Sequence, residues 1–128
     1  MRLITRSDFD GLACGALLLE AKVIDSWTFA HPKDIQDGLV PVTENDVLAN
    51  VPFAPGCGLW FDHHSSEEER LKIKGQYKGE SRIAPSAARI IYEYYGGKEH
   101  FPNFDDLMLA VDKVDSGNLT ADEILNPE

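Results

Sequence analysis

Gly58-Leu59-Trp60-Phe61-Asp62-His63-His64-Ser65-Ser66 is the stretch whose reading decides the fold. Leu59, Trp60 and Phe61 are bulky apolar groups behind a Pro55-Gly56-Cys57-Gly58 turn signal, and they read as a short buried strand. One carboxylate and two imidazoles follow where that strand should end. In open α/β sheets the carboxyl ends of the strands are where ligands bind, and Asp and His suit divalent cations such as Mn²⁺, Mg²⁺, Zn²⁺ or Fe²⁺. A surface turn that happens to hold two histidines is the competing reading of this run.

Upstream, Arg2-Leu3-Ile4-Thr5 is a β-prone start that runs into Ser7-Asp8-Phe9-Asp10-Gly11. Leu12 to Lys22 is rich in Leu and Ala and predicts a helix. Strand, acidic glycine turn and helix make the opening of a βαβ unit. Asp8 and Asp10 stand two apart in the turn, a spacing that lets both carboxylates point into one crevice if the backbone is kinked. One Asp would suffice as a helix N-cap, so the second favours a metal site. Val23 to Ala30 alternates and predicts a second strand. His31-Pro32 breaks it, Pro32 to Gly38 predicts a short helix, and His31 reads as a solvated loop residue. Asp46 to Val51 predicts a third strand, which places Asn50 at its carboxyl end beside Pro52.

Downstream, His64 to Ser81 reads as a mobile surface segment because of its charge run and low apolar content. Ser86 opens a helix to about Tyr95, with Ile90, Ile91 and Tyr94 on one face and Gly96-Gly97 as the stop. Tyr92, Tyr94 and Tyr95 read as core and helix surface rather than as a base-stacking platform. Asn103 caps a further helix from Phe104 to about Val114, with Leu107, Leu109, Ala110 and Val111 as its apolar residues. It ends in Asp112-Lys113-Val114-Asp115-Ser116-Gly117-Asn118, with two acids beside a glycine turn. Thr120-Ala121-Asp122-Glu123 resembles a capping box whose helix is cut off at Glu128, as expected of a fragment of a longer protein.

The whole chain of 128 residues fits one domain, and at 43% hydrophobic it should fold. A net charge of −10 argues against a broad face for duplex DNA. It leaves room for a small phosphate-bearing ligand, because bound cations reverse the local field. No apolar run reaches the length of a membrane span, and the N-terminus lacks a signal-peptide pattern, so the expected location is cytoplasmic. Cys14 and Cys57 read as small buried groups rather than a disulfide.

Thr5-Arg6-Ser7-Asp8-Phe9-Asp10-Gly11, Asp62-His63-His64, Ala84-Pro85-Ser86-Ala87-Ala88-Arg89 and Asp115-Ser116-Gly117-Asn118, in this order, resemble the N-terminal domain of the DHH phosphoesterase family along nearly the whole chain. The resemblance implies a Rossmann-like, three-layer α/β fold with a parallel sheet flanked by helices. It also implies that residues 1–128 lack a smaller DHH-associated C-terminal domain that helps form the substrate cleft. The activities it implies are metal-dependent hydrolysis of polyphosphate, as by exopolyphosphatases, or of short oligonucleotides or cyclic dinucleotides.

By that resemblance Asp8 and Asp10 would each bind one of two Mn²⁺ (or Mg²⁺) ions. Asp62 would be the acid of the third motif, His63 its metal-ligating imidazole, His64 would face the phosphate, and Asp115 would be the last acid at the metals, with Asp112 second choice. Asp62, His63 and His64 are the expected catalytic group. Paired cations about 3.5–4 Å apart clamp a phosphate and activate water, so positioning and charge neutralisation dominate such chemistry.

Two departures stand out. Arg6 replaces a histidine common in the family; it cannot ligate a metal, because it stays protonated, but it can hold a phosphate oxygen. Asn50 replaces a bridging Asp, and a neutral carboxamide bridges two cations poorly, so the second metal position is expected to be weak. Asp46 is too far along the same strand to substitute. A catalytically weak DHH-like domain that binds a nucleotide or phosphate is the alternative reading; a purely structural domain is a third.

Overall fold

Among the described residues five short strands pair side by side, all parallel, in the spatial order β2-β1-β3-β4-β5. They are β1 (Arg2–Thr5), β2 (Ser26–Phe29), β3 (Asp46–Ala49), β4 (Leu59–Asp62) and β5 (Gly79–Ser81). Among the described residues the helices are α1 (Phe9–Glu20), α2 (Pro32–Gln36), α3 (Ala87–Tyr94) and α4 (Asp105–Asp115), with a 3-10 turn at Gly97–Glu99. This computed structural model describes residues 1–63, 72–73 and 75–115, and of Asp115 the backbone alone.

Strand side chains alternate between two layers, as the period of two requires. Leu3, Val47, Ala49 and Phe61 face one way and pack with Leu17, Leu18, Ile90, Ile91, Met108 and Val111 from α1, α3 and α4. Ile4, Leu48 and Trp60 face the other way, toward Ile35 of α2 and Val51. The chain is therefore a three-layer α/β domain, as its sequence predicts. No helix among the described residues is long and apolar enough to cross a membrane.

The order 2-1-3-4-5 has its topological switch point between β1 and β3. From β1 the chain crosses one way to β2, then returns past β1 to β3. Loops diverge there and leave a crevice at the carboxyl ends of the strands. Two local devices shape it. Gly11 lies so close under the turn after β1 that a Cβ would stand 1.9 Å from the Arg6 carbonyl oxygen. Asn50 leaves β3 in the left-handed region, with φ of 61°, which Asn and Asp tolerate better than other L-residues.

Several expectations need correction. Helix α1 begins at Phe9 rather than Leu12, because Asp8 is its N-cap and accepts from Gly11 N at 2.8 Å. His31 is an exposed loop residue, as expected, and in addition N-caps α2, its Nδ1 accepting from Lys33 N at 3.0 Å. Gly79 to Ser81, expected to be surface chain, forms β5 by backbone pairing with β4. In α4, Leu109 is exposed and Val111 buried, and in α3 Tyr94 is nearly half exposed beside buried Ile90 and Ile91.

Candidate functional site

Asp8 and Asp10 follow β1, Asn50 follows β3, and Asp62 and His63 close β4, so one end of the sheet gathers all five. At the N-terminal turn of α1 the two acids differ in surroundings: Asp8 is partly exposed beside Arg6, whereas Asp10 is fully buried.

Asp10 reaches across the domain to the start of α3. Its Oδ2 accepts from Ala87 N and its Oδ1 from Ala88 N, both at 2.9 Å. The first amides of a helix have no intrahelical acceptor, and the helix dipole favours an anion beside them, so Asp10 caps α3 from 77 residues away. Ser86 completes the cap by accepting from Arg89 N at 2.9 Å.

His63 turns its imidazole toward the same carboxylate. Its Nδ1 lies 3.1 Å from the Ala84 carbonyl oxygen, and its Nε2 lies 3.5 Å from Asp10 Oδ2. A carbonyl only accepts, so Nδ1 carries a hydrogen, and in the neutral ring the Nε2 lone pair then faces Asp10. With the ring neutral, two electron-rich atoms face each other in a buried place, an arrangement that would suit a cation between them. A metal-ligating histidine ordinarily donates its other N–H to a carbonyl or carboxylate in this way. Asp62, buried at the end of β4, adds a carboxylate at the same sheet end.

Asp8 is occupied differently. Its Oδ1 accepts from Gly11 N at 2.8 Å and from Asn50 Nδ2 at 3.0 Å. Its Oδ2 accepts from the same Asn50 nitrogen at 3.2 Å and faces Arg6 Nε at 3.7 Å. A carboxylate has about four lone-pair sites; three face these hydrogen-bond donors, and the Arg6 guanidinium stands beside them as an ion-pair partner. The surroundings of Asp10 and His63 would fit a divalent ion, whereas an ion at Asp8 would have to compete with the Asn50 amide and the Arg6 guanidinium. Among the described residues, no group of three or more His, Cys, Asp or Glu side chains is gathered closely enough to hold a metal by itself.

Asp112, the second choice for the last acid, pairs with Arg89 Nε and Nη2 at 2.9 and 2.5 Å and accepts from Ser86 Oγ at 3.2 Å. His64 and the side chain of Asp115 lie outside the described residues. Asp46 sits at the far end of β3, held by Arg2 Nε at 2.9 Å.

A cavity of about 610 Å³ opens beside the strand ends, with Arg6, Gln36, Asn50, Phe53, Asp62 and Lys72 on its walls. Its floor is packed: Trp60 Nε1 donates to the Val51 carbonyl at 2.9 Å, and Phe53 packs edge-on against Trp60 with ring centres 5.3 Å apart. Arg6 also borders a second cavity, of about 280 Å³, shared with Asp8 and His31. Sequence reading did not single out Gln36, Phe53 or Lys72. Each lies one or more residues outside any motif, and only the folded loops bring them together.

Comparison with known proteins adds the next observation. The pGpG-specific phosphodiesterase PggH from Vibrio cholerae superposes with a TM-score of 0.85 and is 45% identical in sequence, over 99% of this chain. This supports the DHH phosphoesterase family. The chain spans 40% of the length of PggH. No family model matches the chain, and no curated protein does.

Proposed function

We propose that this chain is the metal-binding part of a DHH-type phosphodiesterase whose substrate is a short linear oligonucleotide of the pGpG kind. One observation carries the reading: the strand-end residues Asp10, Asp62 and His63 lie in a chain 45% identical to a pGpG-specific phosphodiesterase. Among polyphosphate, cyclic dinucleotide and linear dinucleotide, that likeness favours the last.

Asp10 and His63 would hold a Mn²⁺ or Mg²⁺ ion, with Asp62 and Asp115 as further ligands. Such an ion, when bound, lowers the pKa of water and draws charge from a phosphate oxygen. The chain's own residues supply the rest. Ala84 O fixes the tautomer and plane of His63. Ala87 N and Ala88 N fix the Asp10 carboxylate, so it needs no reorganisation when a phosphate arrives. Arg6, on the cavity wall, offers a guanidinium to a phosphate oxygen. His64 would face the phosphate, as the DHH resemblance implies.

A second reading, a domain that binds a nucleotide with little turnover, is favoured by Asn50, which bonds Asp8 instead of bridging ions. The test is hydrolysis of pGpG to GMP, followed chromatographically with Mn²⁺ and with chelator. Mn²⁺-dependent GMP release, lost in Asp62→Asn, is the expected result. Binding of pGpG without release would favour the second reading, and release in chelator would refute the first.

A further inference from the structure

Arg6, Asp8 and Asn50 form a set that a two-ion reading of the site does not use. The Asp8 carboxylate already receives Gly11 N, both contacts from Asn50 Nδ2, and Arg6 Nε. Three of its lone-pair sites face hydrogen-bond donors and a guanidinium stands beside it, so a cation there would compete with the amide and be repelled by Arg6. Asn50 turns donor hydrogens, not an acceptor, toward Asp8. Its left-handed backbone conformation is fixed by Asn50 N donating to Phe61 O at 2.9 Å.

Arg6 is placed differently from an ordinary surface arginine. It stands two residues before Asp8, its Nε directed at that carboxylate, and the tight approach of Gly11 to the Arg6 carbonyl fixes its backbone. Among the described residues it makes no other ion pair. At roughly two-fifths exposure for both partners, the pair adds little to stability. Its consequence is aim: with Nε engaged, the guanidinium borders both cavities at the strand ends. The planar fork of guanidinium donors matches phosphate oxygens.

We infer that Arg6, positioned by Asp8 and Asn50, is the second cation of this site, so that a substrate phosphate is held between the Arg6 guanidinium and a single divalent ion at Asp10 and His63. Asp8 and Asn50 are then positioning residues rather than metal ligands. This rests on the phosphodiesterase reading above and specifies how its site is charged.

Mn²⁺ stoichiometry by equilibrium dialysis, electron paramagnetic resonance and pGpG calorimetry on the intact chain test the inference together. The wild type should take one Mn²⁺ and give an uncoupled, mononuclear spectrum. Arg6→Gln should still take one Mn²⁺, while its Kd for pGpG rises about tenfold or more, as expected for loss of a charge-assisted hydrogen bond. Arg6→His combined with Asn50→Asp should take a second Mn²⁺ and show a spin-coupled spectrum. Arg6 is partly exposed, so the single variant should fold even if the double variant does not. Two coupled ions in the wild type would overturn the inference and leave the phosphodiesterase reading standing. An Arg6→Gln Kd within twofold of wild type, or no measurable pGpG binding by wild type, would also overturn it. A wild-type chain that takes no Mn²⁺ would overturn both.

Discussion

Asp10 should be as important to the metal-free fold as to any bound ion. Replacing it with Ala removes the acceptor of two buried backbone amides, Ala87 N and Ala88 N, each bonded at 2.9 Å. A buried donor left without a partner costs about 1–3 kcal/mol, and loss of an anion at a helix N-terminus adds up to about 2 kcal/mol. Asp10→Ala should therefore destabilise the domain by about 4 kcal/mol, a large share of the roughly 5–15 kcal/mol that holds a typical domain together. Asp10→Asn keeps one carbonyl oxygen but turns an NH₂ toward the other amide, so about half that loss is expected. Urea unfolding in the presence of chelator, followed by the fluorescence of buried Trp60, gives both values. If Asp10→Ala loses less than about 1 kcal/mol without metal, the capping argument is wrong and Asp10 serves only as a ligand. If both variants lose the expected amounts, Asp10 variants cannot be read as simple metal-site knockouts.

Mn²⁺ at a hundredfold excess over its Kd should raise stability by about 2.7 kcal/mol, seen as an upward shift in melting temperature that His63→Ala removes. Asp46 should govern part of the acid sensitivity. Burial pushes its carboxyl up, but bonds from Arg2 and Thr43 outweigh burial and leave its pKa below the ordinary range. A depressed carboxyl contributes stability that is full above its unfolded-state pKa and lost as pH falls through the folded one. Urea midpoints measured near neutrality and near pH 3 should therefore differ less in Asp46→Asn than in the wild type. Gly11→Ala would bring a methyl group to 1.9 Å from a backbone oxygen, and overpacking of this kind costs about 1–3 kcal/mol or more. A thermal melt unchanged from wild type would show that the turn can give way.

Much of the fold was legible because each central strand carries its own signal. Leu3-Ile4, Val47-Leu48 and Trp60-Phe61 are bulky apolar pairs buried on both faces of a parallel sheet, and such strands read as continuous hydrophobic runs. Gly79-Glu80-Ser81 has no such signal. It is a strand only because β4 presents unpaired backbone groups beside it, and Gly79 avoids a Cβ that would stand 2.3 Å from Trp60 O. The strand-end positions of Asp8, Asp10, Asn50, Asp62 and His63 could be read from where each run stops. Their pairings could not. Asp10 meets Ala87 and Ala88, and Asp112 meets Arg89, through contacts more than twenty residues apart in the chain, which no local pattern encodes. The different burial of Asp8 and Asp10 follows from a helix that begins at Phe9, three residues before the Leu-rich run that announced it.

The left-handed backbone at Asn50 bears on how this site can change over evolutionary time. At φ of 61° the chain accepts Asn, Asp or Gly with little strain and resists bulkier residues. Drift at this position is thereby confined to a very small set, and two of its members differ by one unit of charge at nearly constant volume. The loop need not be rebuilt to pass between them. A lineage can therefore alter the ionic character of the switch point in a single substitution, while Trp60, Val51 and the sheet beneath retain their packing. The same backbone angle that limits variety at residue 50 leaves open the one exchange that bears most directly on chemistry.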